Sequence, residues 1–248
     1  MQKIIIKSFH GIGDLLFSTP SFRVIKESYP NIYLIVNTHK PGLLKNNPFV
    51  DKIGSKREGL YPNHPDPAGN INPRQHNRIP YQHHILSHWE IICKAYDLKT
   101  RRPAMRPELY IRDLPPKRNI IGVQVRHRRR YHSKRVWPYF EELSRQKGFE
   151  AIPNITSGDI MVGIVKKVFE YKNIVCAEGG LSHIRAALGL PAVVLMGGFT
   201  SPDWTGYPDH INLVSNIECR YCYNKEPCRN DFKCWGQFSL EYVKGLVS

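Results

Sequence analysis

Lys3-Ile4-Ile5-Ile6-Lys7-Ser8-Phe9-His10-Gly11-Ile12-Gly13-Asp14-Leu15-Leu16 is the stretch on which the fold turns. Three consecutive isoleucines suit a parallel strand over Lys3–Ser8, buried on both faces. His10–Asp14 reads as a turn, with glycines at 11 and 13 where backbone can approach a ligand closely. Leu15, Leu16, Phe22, Ile25 and Lys26 follow at near-helical spacing up to Tyr29-Pro30, and Pro20 is expected in the first turn of a helix. Ile32–Asn37 is a second apolar strand, and Val50–Ile53 a third short element. Strand, glycine turn, helix and strand in this order make a Rossmann-like α/β unit.

Outward from this unit the character changes and then repeats. Residues 54–82 are rich in Pro, Asn, His, Gly and Arg, and form a long loop, a length that points to function or disorder. His83–Leu98 follows as an amphipathic helix with Ile85, Trp89, Ile92 and Tyr96 on one stripe. Arg101–Pro107 is a basic connector and Glu108–Arg112 a further strand. A second alternation follows: strand Asn119–Val125, helix Trp137–Lys147, strand Phe149–Pro153, helix Asp159–Tyr171, strand Asn173–Cys176, helix Ser182–Leu188 and strand Pro191–Met196. Two Rossmann-like halves are expected, 1–115 and 116–248, divided at Pro115-Pro116.

The chain has 248 residues, 36 Lys plus Arg against 21 Asp plus Glu, a formal charge of +15 and 41% hydrophobic residues. That is globular composition, which excludes a disordered or fibrous chain. No apolar run approaches the roughly 20 residues that span a bilayer, and the N-terminal apolar stretch is too short for a signal peptide. A cytoplasmic protein is expected, peripheral to a membrane at most. The positive balance favours anionic partners: nucleic acid, lipid head groups, phosphorylated sugars or nucleotide diphosphates.

Four places could carry chemistry. Gly11 and Gly13 follow the first strand, but position 16 is Leu, so the three-glycine dinucleotide fingerprint is not met. Asp14, at the strand's C-terminal end, either caps the helix or takes a proton from an acceptor hydroxyl. Glu178-Gly179-Gly180-Leu181-Ser182-His183 again lies between a strand and a helix. It is either a tight turn with a surface histidine, or an anion site in which freed backbone N–H groups, Ser182 and His183 meet a phosphate. Arg126–Arg135 holds six Lys or Arg in ten positions, including Arg128, Arg129, Arg130, Lys134 and Arg135. It is a solvated basic loop or a polyanion site. Cys219, Cys222, Cys228 and Cys234 match a tetrahedral site for structural zinc or iron, with disulfides as the alternative. Cys93 and Cys176 lie in apolar stretches and are expected to be packing residues.

Taken together, these segments resemble glycosyltransferase family 9, the heptosyltransferase-like enzymes. The resemblance is carried by Gly11-Ile12-Gly13-Asp14-Leu15-Leu16-Phe17-Ser18-Thr19-Pro20 with Arg23, Lys26 and Pro30, and by Asn47-Pro48-Phe49-Val50-Asp51. It continues in Lys134-Arg135-Val136-Trp137-Pro138, in Glu178-Gly179-Gly180-Leu181-Ser182-His183-Ile184-Arg185-Ala186-Ala187-Leu188-Gly189-Leu190-Pro191, and in Gly197-Gly198-Phe199-Thr200-Ser201-Pro202. It implies a shortened member with a GT-B architecture: two Rossmann-like domains facing a cleft, the C-terminal one holding a nucleotide-diphosphate sugar. It further implies inverting transfer, with Asp14 as general base. The donor would be held by Gly11, Gly13, Lys134, Arg135, Glu178, Gly179, Gly180, Ser182 and His183, without a catalytic metal. Some members carry a cysteine-bound metal near the C-terminus.

Departures shape the expected substrates. Glu178-Gly179 stands where the family has Asp-Thr, so heptose is not assumed as the donor sugar. Arg128, Arg129 and Arg130 exceed what a diphosphate needs, and are expected to meet an anionic acceptor such as a lipopolysaccharide-type glycan. Two other functions fit the charge: a glycosyltransferase acting on a hydroxylated DNA base, and a non-catalytic binder of nucleic acid or anionic glycan.

Overall fold

The computed structural model describes residues 2–62, 82–125, 136–153, 159–222 and 228–247. Arg128, Arg129, Arg130, Lys134 and Arg135 lie outside them, as does most of the long loop expected over 54–82.

Two parallel sheets form, one on each side of Pro115-Pro116. In the first, β1 (Lys3–Ser8) pairs with β2 (Tyr33–Thr38), which pairs with β3 (Lys52–Gly54). On the other side of β1, Leu60 makes a parallel bridge to Ile6 and exchanges backbone hydrogen bonds of 2.8 Å with Lys7 and Ile5. The strand order therefore reverses at β1. The second sheet runs β5 (Phe149–Ala151), β4 (Arg118–Val123), β6 (Tyr171–Ala177), β7 (Val193–Gly197), β8 (Ile211–Val214), and reverses between β4 and β6. In open α/β sheets the crevice beyond the carboxyl ends at such a reversal is where ligands bind.

Helix α1 (Ile12–Ser28) is the element the two halves share. Leu15 through Phe22 are all buried, and so are Val24 and Ile25. A helix buried around so much of its circumference lies between layers rather than on one. One apolar cluster accordingly runs from Ile4, Ile6, Leu34 and Val36 of the first sheet, through Leu15, Phe22 and Ile25, to Ile174, Ile184 and Val194 of the second half. The halves share a core instead of meeting across open solvent.

Pro20 corrects the expectation drawn from the sequence, because it sits inside α1 and starts no helix. Proline removes the N–H that would bond the Leu16 carbonyl. The Thr19 hydroxyl donates to that carbonyl at 2.8 Å instead, so the ladder is repaired one residue earlier. Glu108–Arg112 is likewise not a strand. It is an extended strap held by side chains. Glu108 N–H donates to Thr19 Oγ1 at 2.8 Å, and Arg23 Nε donates to Glu108 Oε1 at 2.7 Å. Leu109 and Ile111 pack on the core.

Helix α2 (His84–Tyr96) forms where its apolar stripe placed it, burying Ile85 and Ile92. Its last residue, Tyr96, accepts from Ile5 N–H at 3.0 Å and donates to Ile5 O at 2.9 Å, fastening the helix to β1. In the second half α3 (Phe140–Ser144) is shorter than the helix expected over 137–147, while α4 (Ile160–Glu170), α5 (Gly180–Ala187) and α6 (Pro202–Thr205) follow. Trp137 is fully buried and donates to Phe238 O at 2.8 Å. The C-terminal segment, ending in α7 (Leu240–Gly245), is thereby docked on the second sheet.

Candidate active site between two helix N-termini

The first turns of α1 and α5 touch. Gly13 lies so close to His183 that a Cβ there would fall 2.5 Å from Cδ2 and 2.9 Å from Nε2. A Cβ on Gly180 would fall 3.1 Å from Ile12 Cβ. The lack of side chains at positions 13 and 180 is what lets two helices from different sheets meet end to side. Asp14 and the loop Glu178–His183 are thereby brought to one place.

Asp14 is half-buried. Its Oδ2 accepts the Gly11 N–H at 2.5 Å, closing the first turn of α1. The capping role is real and one-sided, since glycine has no side chain to return a bond. Among the described residues Oδ1 has no hydrogen-bond partner, so only one of the two carboxylate oxygens is spent on the turn.

The loop after β6 is built by glycine. Gly179 has φ +152°, a conformation L side chains rarely adopt, and a Cβ there would meet nothing within 4 Å. Its backbone borders open space, as a ligand cradle requires. Ser182 is buried and closes the turn: its hydroxyl donates to Gly179 O at 2.8 Å and accepts Gly179 N–H at 3.3 Å. Its oxygen is committed to the protein.

His183 is not the surface histidine of the tight-turn alternative; it is 2% exposed. Nδ1 lies 2.9 Å from the Tyr207 hydroxyl and Nε2 lies 3.5 Å from Glu178 Oε1. Its ring packs edge-on to Phe17, with centroids 4.6 Å apart. Phe17 is the hub of a cluster that sequence reading missed. His84 stacks on it at 5.1 Å, and His83 and His88 approach it edge-on at 5.9 and 5.7 Å. His88 Nδ1 also meets Ser18 Oγ at 2.8 Å. His83 accepts Ile85 N–H on Nδ1 at 3.2 Å, which caps α2, and its Nε2 reaches Gly206 O of the second half at 3.0 Å. Burial pushes the His83 imidazole down to about 4, partly offset by its bond to Gly206. His84 is also lowered by burial, against the opposing pull of the Glu178 and Asp14 charges. The available signal was His83-His84 followed by His88 one helical turn on; the apolar stripe drew the reading instead.

No protein-family model matches the chain, and no curated protein matches it by sequence. Solved structures do. A glycosyl transferase family 9 protein from Veillonella parvula superposes with a TM-score of 0.64 at 13% identity, over 98% of this chain and 95% of that one. The E. coli ADP-heptose lipopolysaccharide heptosyltransferase II gives 0.62 at 16%, over 100% and 98%. The iron-containing dodecameric glycosyltransferase TibC from enterotoxigenic E. coli gives 0.68 at 14%, over 99% and 77%.

The chain has the fold of these glycosyltransferases.

The helix that follows the Glu178–His183 loop is anchored by a buried cation that has no carboxylate partner among the described residues. Arg185 is fully buried in α5, and four of its N–H groups go to backbone carbonyls: Nε to Pro191 O, Nη1 to Val168 O and Tyr171 O, and Nη2 to Lys172 O, at 2.8–3.1 Å. Three of these carbonyls end α4 and begin β6, and Pro191 precedes β7, so the negative end of the α4 dipole supplies counter-charge. Burial still brings the guanidinium down to about 10.

Two of the four C-terminal cysteines, Cys222 and Cys234, meet at Gly198. Cys222 N–H donates to Gly198 O at 3.1 Å, and a Cβ on Gly198 would fall 3.2 Å from Cys234 Cβ. Burial raises the Cys234 thiol, and the like charges of Cys228, Cys222 and Cys219 raise it further. All four are free thiols, and among the described residues no group of three or more His, Cys, Asp or Glu side chains is set to hold a metal ion. The ligand types suit zinc or iron, but the thiols are not disposed as a closed site. Cys176 is fully buried, with its thiol pushed up to about 12 by burial, and Cys93 is half-buried against Thr100, as packing residues should be. Among the described residues no helix is long and apolar enough to cross a membrane.

Proposed function

We propose that the protein transfers a sugar from a nucleotide-diphosphate sugar to an acceptor hydroxyl, with inversion at the anomeric carbon. The observation that carries this reading is the contact between α1 and α5, which sets a carboxylate beside a glycine-built helix N-terminus. The backbone N–H groups of Gly180 and Leu181 and the α5 dipole suit a diphosphate, with Lys134 and Arg135 adding cations. Asp14 Oδ1 takes the acceptor proton, the acceptor oxygen bonds to the anomeric carbon, and the bond from that carbon to the diphosphate oxygen breaks. The nucleoside diphosphate leaves with the electron pair. Related folds bind ADP and ADP-D-β-D-heptose, so ADP-sugars are the first donors to try. An acceptor with negative charge suits the +15 balance and Arg128, Arg129 and Arg130.

The test is Asp14→Asn. Asparagine keeps the shape and can still accept from Gly11 N–H, but it is no base. Turnover should fall roughly 10²–10⁴-fold, the usual worth of a general base, with donor affinity retained. Near-normal turnover would remove Asp14 from the chemistry. The salt dependence of acceptor KM then separates acceptors, since each duplex phosphate contact contributes about 0.9 to the log–log slope. For the cysteines we propose one structural zinc or iron held by Cys219, Cys222, Cys228 and Cys234, supported by their close spacing in the sequence, by the approach of Cys222 and Cys234 to Gly198, and by the iron of TibC.

A further inference from the structure

The Tyr207 hydroxyl, the His183 ring and the Glu178 carboxylate lie in a row. Tyr207 is 4% exposed, His183 2% and Glu178 8%. The phenol sits 2.9 Å from His183 Nδ1, and Nε2 on the far side of the ring lies 3.5 Å from Glu178 Oε1. A carboxylate can only accept and a phenol carries one proton to donate.

We infer that Tyr207 and His183 form a proton-ordered relay that orients the Glu178 carboxylate, making Tyr207 a positioning residue for the donor sugar. Tyr207 O–H donates to Nδ1, and the ring then carries its proton on Nε2, aimed at Glu178. The opposite order would set an Nε2 lone pair against the carboxylate. Burial, together with the Glu178 charge, pushes the phenol well above its ordinary range, so it keeps the proton it must place.

What this does follows from where Glu178 stands. It follows β6 directly, at the strand reversal where a ligand is expected, and it opens the loop that cradles the donor. A carboxylate there accepts from sugar hydroxyls, and its aim decides which hydroxyls are read. A distance of 3.5 Å is long for a hydrogen bond; such contacts commonly tighten only in the ligand complex. The relay is also keyed by the other half of the molecule. His83 packs edge-on to Tyr207 at 5.5 Å and bonds the neighbouring Gly206 O, so the N-terminal half holds the loop from which the relay starts.

The inference rests on the transferase reading for its ligand but not for its geometry, and the experiment separates the two. Nitrogen NMR of histidine-labelled protein, with His183→Gln identifying the signals, reads the tautomer directly. Wild type should show Nε2 protonated and Nδ1 as a hydrogen-bonded acceptor. Tyr207→Phe should move Nδ1 toward the unbonded position. ADP and ADP-D-β-D-heptose are the binding probes. Tyr207→Phe should weaken the ADP-sugar about tenfold, the worth of one charge-assisted hydrogen bond, and leave ADP within about twofold. A protonated Nδ1 in wild type, or equal weakening of both probes, overturns the relay. If wild type binds neither probe, the donor assignment falls, and the tautomer still decides the relay.

Discussion

Single residues decide whether the two halves can meet at all. Gly13 carries no special backbone strain; its value is empty volume against His183. In Gly13→Ala the new Cβ would sit 2.5 Å from a ring pinned on both nitrogens. The halves must part by a fraction of an ångström, which should cost about 1–3 kcal/mol of unfolding free energy, the range for overpacked cores, measurable by urea titration. Arg185 is the opposite case, a residue valued for what it donates. Arg185→Leu removes all four bonds and strands the two buried carbonyls, those of Val168 and Tyr171. Each unsatisfied buried group costs about 1–3 kcal/mol, so a loss of at least about 2 kcal/mol is expected by the same titration. A loss below about 1 kcal/mol would mean that water reaches those carbonyls.

At the level of elements, most of what was legible came from buried parallel strands and their glycine turns. The run Ile4-Ile5-Ile6 and the Glu178-Gly179-Gly180 turn are local signals, and both elements formed where they were read. What the sequence hid was decided by distant partners. Pro20 looked like a helix start because the Thr19 hydroxyl that repairs Leu16 O is invisible to spacing rules. Glu108–Arg112 looked like a strand because its apolar alternation is real, yet Thr19 and Arg23 hold it as a strap off the sheet. Whether His183 was a surface residue or part of a site stayed open in the sequence, because nothing local predicts that α1 arrives with a bare Gly13. The knuckle 219–234 is the element whose own physics is least complete in this structure: its four cysteines are free thiols, and Cys222 and Cys234 meet at Gly198. Cysteine binds zinc or iron as thiolate, so a metal supplies the charge that would draw the four together. Elemental analysis of protein purified without added metal should find about one zinc or iron per chain, and Cys234→Ser should lower thermal stability more than donor affinity. Four titratable thiols with no metal would refute the site.

On the scale of the whole molecule, the shared core and the histidine hub tie the contact between the halves to pH. Two buried imidazoles are held neutral, His83 where the halves meet and His210 within the second half: each is pushed down to about 4, chiefly by burial, from an ordinary 6.5. In the unfolded chain both take up protons near 6.5. Between the two values the unfolded state therefore binds more protons, and stability falls as pH falls. The window runs from about 6.5 down to about 4, with at most roughly 3 kcal/mol at stake per group. Carboxylates held low by partners, Asp51 by the Leu34 N–H and Lys26, and Glu150 by Arg118, lose their contribution only below their ordinary values of 3.8 and 4.5. They act at the acid end of this window and beneath it, so a decline that begins near 6.5 belongs to the histidines. His83 adds a structural reason for coupling, because protonating Nδ1 would turn the acceptor of Ile85 N–H into a donor, uncapping α2 beside the contact with Gly206. His83→Asn keeps a capping oxygen and removes the titration. Its melting temperature should be lower than wild type at pH 7.5, where the bond to Gly206 is lost, and should decline less steeply from pH 6.5 to 4. A variant that tracks the wild-type slope through that window would show that His83 is already charged in the folded protein, and that neutral imidazoles are not what hold the two halves together.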